Sequence, residues 1–181
     1  MADLISQRAG IPFVKTSTSD VFREHGLDPS KPLDFTRRLW IQHKILDAAE
    51  KIWNAGRGRF ITDRTPIDMA AYALADIQGA TEVNFTDLEG YLSRCLDATN
   101  KFFRMLVLIQ PGIPLVHEEG KAALNEGYLE HLNFLMLGLC NDERVLSKFL
   151  RLPRDMKAIE DRVDSILRAL SETENEDKRV L

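Results

Sequence analysis

The chain has 181 residues, 44% of them hydrophobic and 29% charged, with a formal net charge of −4. That is one domain of ordinary size with the balance of a globular protein, and its acidic total excludes a nucleic-acid binder driven by bulk charge. No apolar run approaches the roughly 18 residues that cross a membrane, and Cys95 and Cys140 stand far apart without CxxC spacing, so neither a disulfide framework nor a zinc site is indicated. Met1-Ala2-Asp3-Leu4 has neither a basic n-region nor an apolar h-region, so no secretory signal is read there and the cytoplasm is the default location.

In chain order, Met1 to Ala9 reads as a short helix, with Leu4, Ile5 and Ala9 apolar and Gly10 as its cap. Ile11-Pro12-Phe13-Val14 follows as a strand, with Pro12 near its start, where a missing donor is tolerated. Ser19 or Asp20 is expected to cap a short helix through Val21 and Phe22. Asp34 then caps a long helix to about Asn54, whose residues Phe35, Leu39, Gln42, Ile45, Leu46, Ala49, Ile52 and Trp53 recur at helical spacing along one face. Gly56-Arg57-Gly58 turns the chain into a strand ending at Asp63.

A helix runs from Pro66 to about Gln78, and another, entered near Thr86, carries Leu88, Tyr91, Leu92, Cys95, Leu96, Thr99 and Phe102 or Phe103. Met105-Leu106-Val107-Leu108-Ile109 is a continuous apolar run, as expected of a strand covered on both faces in a parallel sheet. A polar connection from Val116 to Asn125 leads to a helix through Tyr128, Leu129, Leu132, Leu135, Met136 and Leu139. Ser147 to Leu152 is the last strand, and Asp155 is expected to cap a final helix through Ile159, Val163, Ile166 and Leu167. The domain is read as residues 1–170, with a charged, frayed tail from Ser171. Alternating strands and helices imply an α/β fold: a parallel sheet with right-handed crossovers and helices on both faces, in three layers.

The segment Arg59-Phe60-Ile61-Thr62-Asp63-Arg64-Thr65-Pro66-Ile67-Asp68 carries the most chemistry. Phe60 and Ile61 are strand formers, Thr65 is a good N-cap, Pro66 suits the first helical position, and Asp68 favours the helix dipole. Asp63 and Arg64 therefore sit at the carboxyl end of a strand, where ligands gather in open α/β sheets. A carboxylate beside a guanidinium suits magnesium and phosphate together. A surface ion pair that caps a helix is the other reading.

With Ser19-Asp20-Val21-Phe22-Arg23-Glu24, Gly26-Leu27-Asp28-Pro29, the Phe60–Tyr72 stretch, Leu106-Val107-Leu108, Pro111-Gly112-Ile113-Pro114 and Tyr128-Leu129-Glu130-His131 in that order, the chain resembles P-loop nucleoside and nucleotide kinase-like ATPases. Within these it is most similar to the nicotinamide-riboside-kinase-type AAA domains of bacteria and phages. The resemblance covers nearly the whole length. Such proteins open with a buried strand and G-x-x-x-x-G-K-[ST], whose amides and lysine hold ATP phosphates, and this sequence contains neither. Residues 1–12 look like the later part of the helix that follows that lysine, so Met1 is expected to be an internal methionine taken as a start, or the mark of a truncation.

The resemblance implies ATP and magnesium as cofactors and a small-molecule phosphate acceptor as partner. Asp63 would hold magnesium, in part through water, or act as base, and Arg64 would grip substrate or the transferring phosphate. Val116–Asn125 occupies the place of a lid, in which only Lys121 qualifies as a phosphate ligand and His117 is a weaker candidate; a solvated loop is the other reading. Thr16 and Asp20 follow the strand where the acceptor pocket begins in this class, although a capping role competes. Arg37, with Arg38 and Lys44, could reach an acceptor phosphate or form a solvated helix face. Trp40, Trp53 and Tyr72 could stack on a base or pack. The functional expectation is an ATP-dependent phosphotransferase acting on a nucleoside, nucleotide or related metabolite, with this chain inactive alone. A catalytically silent interaction module and a switch-type NTPase are the alternatives. Homo-oligomerisation stays open.

Overall fold

The computed structural model describes residues 1–28, 31, 33–56, 58–113 and 125–180, with backbone alone at 174 and 176–180. Seven helices and one two-stranded parallel sheet appear among them: α1 (Ala2–Ala9), α2 (Thr18–Glu24), α3 (Phe35–Ala55), α4 (Pro66–Ala75), α5 (Phe85–Phe102), β1 (Met105–Ile109), α6 (Glu126–Cys140), β2 (Lys148–Leu152) and α7 (Ile159–Val180). The class is α/β. Gly10, at φ 64°, ends α1 in the left-handed region that a β-carbon disfavours. Asp34 caps α3 by accepting from the Arg37 amide at 2.8 Å, and Asn84 caps α5 by accepting from Thr86 and Asp87.

Several boundaries differ from the sequence expectation for local reasons. Ser17, rather than Ser19 or Asp20, accepts the Asp20 amide at the start of α2. The helix after Pro66 stops at Ala75, and the following turn is closed by Thr81, whose hydroxyl bonds the Gln78 carbonyl. Asp155 does not begin the last helix. Residues 153–158 form a loop that the Arg162 Nε pins by donating to the Met156 carbonyl at 2.5 Å, and α7 starts at Ile159 and continues to Val180.

β1 and β2 pair in register from Met105 with Lys148 to Ile109 with Leu152. Leu106 packs with Ile67, Leu96, Cys140 and Phe149, beneath α4, α5 and α6. Met105 and Val107 pack with Ile5, Leu152, Val163 and Ile166, beneath α1 and α7. Helices therefore cover both faces of the sheet. At the exit end, Gly112 runs so close to Arg154 that an added β-carbon would lie 2.1 Å from the Arg154 carbonyl oxygen. Arg154 also forks onto Glu130, with Nη2 at 2.6 Å from Oε2.

The two earlier strand segments reduce to a single parallel bridge, Phe13 with Ile61. Ile61 donates to the Pro12 carbonyl at 2.9 Å and accepts from the Val14 amide at 2.8 Å. The pair lies beside β1, because Phe60 meets Phe103 edge-on at 5.7 Å and Ile61 joins the cluster of Met105 and Val107. Among the described residues, no backbone hydrogen bond joins it to β1.

The main core lies between α3, α4 and α5 and holds Trp53, Tyr91 and Cys95, each nearly sealed from solvent. Burial pushes the Cys95 thiol up to about 12, so it behaves as a small apolar residue. Several buried polar atoms lack a hydrogen-bond partner among the described residues. Asn133 on α6 is 2% exposed and lacks one at both ends of its amide. Replacing an unsatisfied buried amide by an apolar side chain of similar size removes a desolvation cost of about 1–3 kcal/mol. Asn133→Leu is expected to raise the thermal midpoint by several degrees. A lowered midpoint would show that the amide is bonded in solution.

Candidate functional site

The sequence places Thr65-Pro66-Ile67-Asp68 as a helix start, and the structure builds it as such. The Thr65 amide and hydroxyl both donate to Asp68 Oδ2, at 2.9 and 2.7 Å. This loop fixes the two residues before it. Asp63 and Arg64 leave the bridged segment and are both exposed. Arg64 leans over α4: its guanidinium sits 5.6 Å from the Tyr72 ring centre, Nη1 donates to the Tyr72 hydroxyl at 3.5 Å, and Asp68 Oδ1 lies at 3.7 Å. Burial alone would lower the Arg64 pKa, but Tyr72 and Asp68 outweigh it and raise the net value, so the cation is secure. Burial pushes Asp68 above the usual carboxylate range against its Thr65 hydrogen bonds and the Arg64 charge.

Further polar contacts of this region are not revealed by the sequence. The Tyr128 hydroxyl of α6 is raised by burial and then by Asp76 and Tyr72, which places the three within electrostatic reach. Asp76, raised by burial, is countered by Arg38 of α3, whose Nε stands 3.1 Å from Oδ2. Arg38 pairs with Asp76, Arg64 with Tyr72, and Tyr128 packs in the same cluster as Tyr72. Helical spacing alone suggests a solvated role for Arg38 and a packing role for Tyr72; their partners come from distant parts of the chain.

The other expected site residues fall elsewhere. Thr16 and Asp20 line a separate cleft of about 180 Å³ between α2 and α3, with Glu24 opposite Ile45, Ala48 and Ile52. Asp20 is paired there with Arg23. Arg37 is exposed and joins neither group. Lys121 and His117, with the expected lid from 116 to 124, lie outside the described residues. Of the aromatic candidates, Trp53 is core at 2% exposure, and Trp40 is 43% exposed and meets His25 edge-on at 5.0 Å.

Among the described residues, no three of His, Cys, Asp and Glu converge as a ligand set for a metal ion. Asp63 suits magnesium only in the manner usual for that ion, with waters and phosphate oxygens completing the shell. No protein-family model matches the chain, and neither does any curated protein or solved structure.

The cap and the Arg64 arm separate cleanly by mutation. Asp68→Ala is expected to cost about 1 kcal/mol through loss of the Thr65 contacts, and Asp68→Asn less, since an amide oxygen still accepts. Arg64→Ala, at an exposed ion pair, should stay within about 0.5 kcal/mol of the parent by chemical denaturation. A loss at Arg64 as large as at Asp68→Ala would mean that the arm is part of the fold rather than available to a ligand.

Proposed function

We propose that this chain is the body of a phosphotransferase of the P-loop nucleoside and nucleotide kinase class, with Asp63 and Arg64 at its reacting centre. The observation that carries the reading is the parallel bridge of Phe13 with Ile61, which lies beside the parallel β1–β2 pair and ends in that exposed Asp-Arg pair. In a parallel ladder, alternate residues turn their amides to opposite sides. Ile61 faces the 11–14 segment, so Phe60 and Thr62 face away from it. Lys148 donates to the Arg104 carbonyl at 2.8 Å, so Leu106 and Leu108 face β2, while Met105 and Val107 face away. Two edges of this kind support a reading in which a further parallel strand fits between them. A strand there would deliver a phosphate-binding turn beside Asp63.

In that arrangement Asp63 holds magnesium or its waters, or takes the acceptor proton, and Arg64 neutralises phosphate charge. Phosphoryl transfer depends on such positioning and charge neutralisation. ATP and magnesium are the cofactors this chemistry requires. The backbone nest, lysine and hydroxyl that neutralise the triphosphate are absent from these 181 residues, so the chain by itself should bind Mg-ATP weakly. A second reading, a catalytically silent interaction module, draws on the fact that Arg64 is already engaged by Tyr72 and Asp68.

Calorimetric titration with Mg-ATP decides between them. A chain extended at its start by an apolar strand and G-x-x-x-x-G-K-[ST] should bind at least tenfold more tightly than the 181-residue chain and melt at a higher temperature. Asp63→Asn in the extended chain should lose most turnover against a nucleoside panel while keeping that melting temperature. Micromolar binding by the 181-residue chain, or no gain on extension, would overturn the proposal, and a gain in stability without turnover would favour the silent module.

A further inference from the structure

We propose that His43, Arg94, Asp47 and Glu50 form an acid-sensitive latch that holds α5 against α3 at neutral pH and loosens when His43 gains a proton. The inference is independent of the proposed function. Arg94 on α5 reaches three residues on one face of α3. Its Nη2 lies 2.6 Å from Asp47 Oδ1 and 3.4 Å from Glu50 Oε1, and its Nη1 lies 3.3 Å from His43 Nδ1. A guanidinium can only donate, so Nδ1 is the acceptor, and the imidazole is neutral with its proton on Nε2. The ring is also held by Tyr91, which meets it edge-on at 4.8 Å.

A proton on Nδ1 reverses this geometry. Two donors would face each other at hydrogen-bond distance, and two cations would share one half-buried site. The charged groups around the ring are Arg94 and Asp87 from α5, and Lys44 and Asp47 from α3. Burial is the largest influence and favours the neutral ring, followed by Arg94; Lys44 acts in the same direction, and Asp47 and Asp87 oppose. The net effect holds the folded-state pKa below the ordinary 6.5. The latch contribution is therefore complete above about pH 6.5 and is lost as pH falls from there through the folded value.

The location gives the device a consequence. At their carboxyl ends α3 and α5 are joined by an apolar contact that does not titrate, in which Trp53 lies 5.5 Å from Phe102 and 5.0 Å from Phe103. The latch sits further back along both helices. Opening it weakens the α3–α5 contact behind the aromatic clamp, while Leu88 and Tyr91 stay packed in the shared core.

The test pairs NMR with melting. The His43 Cε1–H resonance, assigned by its loss in His43→Gln, should titrate with a midpoint below 6.5 in the full chain. Arg94→Gln should move that midpoint upward, because the adjacent cation is gone and an amide oxygen can accept from the protonated ring. Between about pH 7.5 and 5.5 the parent's melting temperature should fall further than that of His43→Gln, whose side-chain oxygen still accepts but cannot titrate. A His43 midpoint at or above 6.5, or an unchanged midpoint in Arg94→Gln, would overturn the latch. So would an equal fall in melting temperature in His43→Gln. If His43→Gln does not fold, the comparison of the parent with Arg94→Gln by NMR decides alone.

Discussion

The contact on which this fold most depends is aromatic. Trp53, at the end of α3, is wrapped by Phe102 and Phe103 at the end of α5, and Phe60 closes on Phe103 from the first strand segment after α3. The same helices meet again at His43 with Tyr91 and at Asp47 with Arg94, so residue numbers rise together along both and the helices run parallel. Each helix leads directly into an extended segment, α3 into the bridged residues around Ile61 and α5 into β1. Two parallel helices joined at their carboxyl ends therefore start two strands from the same end of the molecule. Large apolar rings are suited to this duty, since each removes more surface from water than any aliphatic side chain and keeps a defined edge-on geometry.

From that constraint follows the state of the sheet. β1 is secured by β2 on one side, and Ile61 by Pro12 and Val14 on one side. Apolar helices cover both faces, but among the described residues the two facing strand edges exchange no backbone hydrogen bond. Unpaired edges inside a layered fold are unusual because each amide and carbonyl left there lacks a partner. The Asp63–Arg64 pair lies just beyond these edges along the chain, and Arg64 rests on Tyr72.

Local chemistry was legible and distant chemistry was not. Asp34, Gly10 and Thr65-Pro66 act on amides a few residues away, so the sequence alone identifies them as helix boundaries. The run Thr16-Ser17-Thr18-Ser19-Asp20 offers several caps in succession, and only the docking of Val21 and Phe22 into the core selects Ser17. Asp155 has the composition of a cap, but Arg162 holds the loop it sits in. The strands at 11–14 and 59–63 have strand-forming residues but a ladder on one side only, so they shorten to one bridge. Among the described residues the sheet thereby has two continuous strands, and the three-layer kinase architecture is a proposal. The place of Asp63 and Arg64 just before the α4 cap was readable from the turn residues. The pairing of Arg38 with Asp76 and the reach of Arg94 to His43 each depend on separate helices meeting.

The most direct measurement of the central claim, an opening between the bridged segment and β1, is amide hydrogen exchange read residue by residue at neutral pH. The amides of Val14, Ile61, Leu106 and Leu108 should be protected, because each faces a paired strand. Those of Phe60, Thr62, Met105 and Val107 should exchange at least a hundredfold faster, since among the described residues no backbone carbonyl meets them. Equal protection in the two sets would mean that the segments pair directly, and the account of an open sheet that awaits a further strand would be wrong.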